Sequence, residues 1–430
     1  MSSQRRLSLI VVMMSVSTGI AMAQTPRRLT LKEAQDIAVG NHPQVNAANF
    51  RAGAARRVTV ETRSAYFPTL SGSMTGTGAD PGSRIAAGAL NNPVIFSRYA
   101  NGMSLSQLVS DFGRTGSLAK SSELQALSAG ATVTATRADV LMGVDQAYYG
   151  ALRAQSVLTV ADETVKARET VLEQISALEK SGLKSGLDVT FAQVNLDQAK
   201  LLLLRAQNDL NGAYADLTAA LGDRSDQTFD LVDEPVPAPL PDNLATLINE
   251  AMKDRPDLAS LRFSRDASFK FADAEKALRL PTVSVVTSFG LTPFHDKNLT
   301  NHYFASGINI SIPVFNGHLF SARREEAELR AQAADQTVRD LENRITRDVR
   351  VAWLNANTAY QSLGVTAQLL DQATQSLDLA QARYNLGLSS IVELSQAELN
   401  LTEAEIAQAS AKYEYQIRRA ELTYRIGALQ

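Results

Sequence analysis

Four histidines, His42, His295, His302 and His318, and a complete lack of cysteine bound the chemistry open to this chain. Imidazole can ligate a metal or move a proton near neutral pH, but only with partners at suitable spacing. His295 and His302 share one predicted loop, but the four histidines show no metal-ligand spacing. Loop histidines of that kind are ordinarily solvated. No serine has the His and Asp context that would make it a nucleophile, and no Gly-rich phosphate loop is visible. Without cysteine, disulfides, thiol catalysis and an N-terminal lipid on Cys are excluded. The residue set argues against an enzyme and implies no cofactor or metal. What remains is a pattern of small, apolar and charged residues on long regular elements.

The dominant element is a helical hairpin from about Ser321 to the C-terminus, turning at Tyr384-Asn385-Leu386-Gly387-Leu388-Ser389-Ser390. Its first arm carries a stripe of thirteen positions: Leu341, Ile345, Val349, Ala352, Ala356, Ala359, Leu363, Ala367, Leu370, Ala373, Leu377, Ala380 and Tyr384. Twelve steps over 43 residues average about 3.6, the α-helical period. No proline follows Pro313, so the arm predicts one helix roughly 100 Å long at ~1.5 Å per residue. That is too long for one compact core. A stripe period near 3.6 also predicts nearly straight helices with little supercoil.

The hairpin occurs twice. Subtracting 205 takes Gly387, Leu388, Ser390, Asn400, Leu401 and Gly427 onto Gly182, Leu183, Ser185, Asn195, Leu196 and Gly222. Trp353 falls on Tyr148, and Glu393 on Asp188. Further upstream the offset is 213, matching Pro43 with Pro256 and Pro68-Thr69 with Pro281-Thr282. A fixed offset over such a span indicates an internal duplication. The expected organisation is residues 24–222 as a first repeat, 223–242 as a Pro-rich linker and 243–430 as a second repeat. Long helical hairpins are expected at about 116–221 and 321–428, with strands at about 68–109 and 281–313.

Residues 1–23 read as a signal peptide: Arg5-Arg6, a moderately apolar segment Leu7–Ile20, and Ala21-Met22-Ala23 as an A-x-A cleavage site. Beyond it no run of 18 apolar residues would make a transmembrane helix. Net charge is −3 with acids and bases interspersed, so no nucleic-acid footprint is visible. In the strand regions the period shortens to two. Val283, Val285, Phe289 and Leu291 share a face opposite Thr282, Ser284 and Ser288, whereas Phe304, Ile308, Ile310 and Ile312 are expected opposite Ser306, Asn309 and Ser311. Such strands, apolar on one side and polar on the other, match transmembrane β-strands. Four of them cannot close a barrel, and open edges are not tolerated in lipid. Several chains contributing to one barrel is the reading favoured over a soluble sheet.

Taken together, the chain resembles the TolC-like outer-membrane efflux proteins, or outer membrane factors, over about Leu29 to Ala428. The most specific pieces are Tyr384-x-x-Gly387-Leu388-x-Ser390-x-x-Glu393 and Gly182-Leu183-x-Ser185-x-x-Asp188. The resemblance implies a mainly α fold with a β-hairpin per repeat: an α-helical barrel plus a transmembrane β-barrel completed by trimerisation, four strands per chain and twelve in all. It implies a homotrimer in outer-membrane lipid, with a large periplasmic portion. It also implies a periplasmic adaptor protein, an inner-membrane pump that supplies the energy, and no cofactor. The tips Gly182, Leu183, Ser185, Gly387, Leu388 and Ser390 become the adaptor-docking positions. Glu393 and Gln396 match the pore constriction, with Gln396 standing where a second acid is usual. Tyr384 and Asp188 match a pair that links the hairpins at the closed entrance, while Ser389 replaces an arginine used there. Function is then that of an exit duct in a tripartite efflux or type I secretion system. A periplasmic adaptor or a structural helical-hairpin protein is the alternative, disfavoured by the duplicated hairpin and by the strands.

Overall fold

The computed structural model describes residues 27–84, 94–224, 228–241 and 243–429. The signal-peptide reading lies outside the described residues, as does part of the first strand loop. Two long helices dominate. α3 spans Arg114–Lys180 and α7 spans Leu319–Asn385, each 67 residues. Each turns at a tip into a 35-residue helix, α4 at Gly186–Ala220 and α8 at Ile391–Arg425. Shorter helices precede them: α1 (Leu31–Asn41) and α2 (Pro43–Arg63) in the first half, α5 (Leu244–Asp254) and α6 (Pro256–Lys276) in the second. The helix bounds repeat residue for residue, at offset 213 for α1/α5 and α2/α6 and at 205 for α3/α7 and α4/α8.

Two short helices stack end to end beside each long one. α2 and α4 pack along α3, while α6 and α8 pack along α7. The junctions are tight. A Cβ on Gly222 would lie 3.0 Å from the His42 Cα, and one on Gly427 would lie 2.9 Å from the Arg255 nitrogen. Both glycines hold positive φ, so a side chain there meets crowding as well as backbone strain.

Eight of the thirteen stripe positions on α7 are buried, from Ile345 to Ala359 and again at Ala373, Ala380 and Tyr384. Ala367 between them is exposed in the single chain. The outer face of α7 is charged, with i,i+4 ion pairs such as Arg330–Glu326 and Arg344–Asp340. Pairs of this type stabilise a helix by about 0.2–0.5 kcal/mol each. In the run Leu201-Leu202-Leu203-Leu204 of α4, Leu203 packs against a core, while Leu201 and Leu204 face out.

Two features were not legible. β1 (Arg27–Leu29) pairs in parallel with β4 (Phe229–Leu231), and both strands are only three residues long. The Pro-rich linker is strapped to the helices. The Tyr148 hydroxyl donates to the Val232 and Leu29 carbonyls at 2.7 and 3.0 Å, and Tyr415 donates to Ala238 at 2.8 Å. Trp353, the repeat counterpart of Tyr148, donates to the Pro241 carbonyl at 3.2 Å. Beneath this strap Asp145 is buried with one bond, from Gln35 at 2.6 Å, and burial pushes its carboxyl up to about 6.

The strands β2 (Thr69–Thr77), β3 (Arg98–Ser110), β5 (Thr282–His295) and β6 (His302–Ser311) form one antiparallel sheet in the order β2-β3-β5-β6. The hairpins of the two halves thus join through β3 and β5, and β2 and β6 are left as open edges. Cross-strand register stacks Met103, Phe289 and Phe304 in one row and Val285 with Ile308 in another. Ser71, Ser104 and Ser288 stack on the opposite face. One expectation fails: Ser306 shares parity with Phe304 and Ile308 and sits on the apolar side. There it bonds Thr287 at 2.9 Å, so the two hydroxyls satisfy each other.

Candidate functional site

Both tips are built from the same backbone device. The Leu183 N–H returns to the Leu178 carbonyl at 2.9 Å, and Leu388 to Arg383 at 2.8 Å. Gly182 and Gly387 supply the required positive φ of 76° and 74°. Ser185 then caps α4 in a reciprocal box with Asp188. Ser390 occupies the matching cap position of α8 but makes no side-chain cap bond. Ser185 thus has a capping role in the hairpin itself. Capping does not account for the leucines. Leu183 is 72% exposed and Leu388 67% exposed, each projecting apolar surface from the end of a hairpin.

The two tips are locked together. Ile175, Ala192, Ala380, Tyr384, Ile391 and Leu394 form one apolar cluster spanning both hairpins. Full burial of a side chain such as Leu394 stabilises by about 1.5–3 kcal/mol. Lys184 of the first tip lies 3.5 Å above the Tyr384 ring and donates to the Tyr384 carbonyl at 3.1 Å. The Tyr384 hydroxyl is buried and makes no hydrogen bond of regular geometry. Burial, and after it the nearby Asp188 carboxylate, pushes this phenol up to about 12. Burial would raise the Asp188 carboxyl, but the Ser185 bonds and the Lys184 ammonium outweigh it and hold it below its ordinary value. Tyr384 and Asp188 are thus brought together, with Lys184 as a third member that sequence reading missed.

Glu393 stands in the first turn of α8 and pairs with Arg383 at 3.3 Å, both about half exposed. Gln396, one turn on, donates to Asn400 at 2.9 Å. Glu393, expected as a pore-constriction acid, thus has a basic partner in its own hairpin. Also unforeseen is a buried ion pair between the halves: Arg168 Nη1 lies 2.7 Å from Glu398, whose side chain is 3% exposed. Asn195 donates to Ser395 at 2.8 Å and reaches Glu398 at 3.5 Å. At the 205 offset these two ions fall on Ala373 and Gln193. That break in repeat symmetry is the signal that could have found them.

Residues 35–223 and 247–428 match the family model described as outer membrane efflux protein. The chain belongs to the outer membrane efflux protein family. This efflux protein is 23% identical to outer membrane protein TolC of Salmonella enteritidis, over 99% of its own chain and 87% of the relative. It is 25% identical to outer membrane protein OprJ of Pseudomonas aeruginosa, over 92% and 84%. The solved structure of CusC superposes with a TM-score of 0.81 at 19% identity, covering 92% of both chains. The efflux protein is an outer-membrane channel with a large periplasmic helical part, and its family is one of channels. The reading as a periplasmic adaptor is set aside by this match.

Proposed function

We propose that this efflux protein is the exit duct of a tripartite efflux or type I secretion system, carrying cargo from an inner-membrane pump and a periplasmic adaptor to the outside. Three copies supply twelve strands and close the barrel. The observation that carries this reading is the four-stranded sheet, apolar on one face and open at both edges. In lipid those edge N–H and C=O groups need partners, and further copies of the same sheet provide them. In this reading Leu183 and Leu388 seat the adaptor, and the duct does no catalysis and holds no cofactor. Residues 24–222 and 243–430 act as two copies of one unit that together form a third of the ring.

The entrance is lined by Glu393 with Gln396 above it. Because Arg383 offsets part of the Glu393 charge, cation preference is set by the balance of the two. Conductance in a planar bilayer tests this. Glu393→Gln is expected to lower cation selectivity and Arg383→Gln to raise it. Unchanged selectivity in both variants would place the constriction elsewhere.

A further inference from the structure

We propose that a groove between α4 and α8, just above the tips, is a binding subsite for lipophilic organic monocations on their way through the duct. The inference rests on the duct reading, under which Gln396, itself a wall residue of the groove, faces the lumen. The groove has a volume of about 450 Å³, enough for a compact organic molecule. α3 forms its floor with Thr164 and Arg168. Phe191, Val194 and Leu202 of α4 face Val392, Leu399 and Ile406 of α8 across it. These fall at helical spacing on two facing stripes, and Val194, Val392 and Leu399 are each about half exposed.

Charge decides the ligand class. The Arg168 guanidinium on the floor is neutralised by Glu398 at 2.7 Å, so it offers no free positive charge. Glu403 on the α8 wall is exposed and has no ion pair or hydrogen bond among the described residues. The groove therefore presents one unpaired carboxylate beside apolar walls and an aromatic ring. A hydrated metal ion would need several oxygen ligands, and no group of three or more potential ligands occurs among the described residues. A monocation with an apolar body meets every feature: burial against the leucines and valines, the Phe191 face, and Coulomb attraction to Glu403. The duplication adds an internal control. At the 205 offset Glu403 corresponds to Gln198, which lines the α4 wall of the same groove.

The test is equilibrium dialysis of the detergent-solubilised protein against tetraphenylphosphonium, with detergent alone as the blank. Saturable binding is expected, with tetraphenylborate, an anion of the same shape, showing none. Glu403→Gln is expected to weaken binding about tenfold, and Gln198→Glu to strengthen it several-fold. Equal affinity in wild type and Glu403→Gln overturns the proposal. So does loss of binding in Glu393→Gln alone, which would put the cation at the entrance instead. Wild-type conductance measured alongside keeps the two readings apart. Conductance without saturable binding sinks the groove, and binding without conductance sinks the duct.

Discussion

Leu388→Asp is expected to abolish transport while the protein remains at normal abundance in the outer membrane. The Leu388 side chain is two-thirds exposed, so its replacement disturbs no core. Only its backbone N–H serves the fold, by closing the turn to Arg383, and Asp keeps that group. Buried in a partner's groove, each such leucine would contribute about 1.5–3 kcal/mol, repeated at every tip of the ring. A carboxylate in the same place must be desolvated without a partner, which turns attraction into penalty. Leu183→Asp is expected to act likewise, as its exposure is similar. Gly387→Pro attacks the same site through the backbone, because proline fixes φ near −65° where the tip requires +74°. Transport assays with adaptor pull-down check the set. Normal transport from Leu388→Asp would remove docking from this tip.

Arg168→Met is expected to give a large loss of stability. It leaves Glu398, 3% exposed, without its cation, and breaking a buried pair of this kind costs about 3–5 kcal/mol. Glu398 is already held above its ordinary pKa by burial, with Arg168 pulling it back down, so the variant moves the carboxyl further up. Glu398→Leu added to Arg168→Met removes both charges and is expected to restore most of the loss. Thermal unfolding of the solubilised protein reads this as a drop in the midpoint for the single variant and recovery in the double. An unchanged midpoint for Arg168→Met would show the pair to be solvated in the assembled protein.

Much of the scaffold could be read from residue types alone. The 3.6 period marked α7 as one long helix, because a 67-residue helix carries its signal many times over. The repeat offset paired Gly182 with Gly387, and both hold the positive φ that lets the hairpin turn. Short ladders were lost. Three residues in β1 and three in β4 hold no period, and the linker beside them is held by Tyr148 and Tyr415. Ser306 was put on the wrong face by its chemistry, although its parity with Phe304 was there to be read. At the candidate site, Tyr384, Asp188 and Glu393 were visible as motif positions. Their partners Lys184 and Arg383 were not, because both are surface-type residues whose role depends on how the two tips come together.

On the duct reading proposed above, one chain is incomplete and copies of itself finish its sheet. The most direct measurement is the mass of the complex extracted from outer membranes in mild detergent. Three copies per particle is the predicted result, with β6 of one chain cross-linking to β2 of the next through cysteines placed at the edges of this cysteine-free protein. A monomer that stays folded with both sheet edges open would overturn the shared barrel.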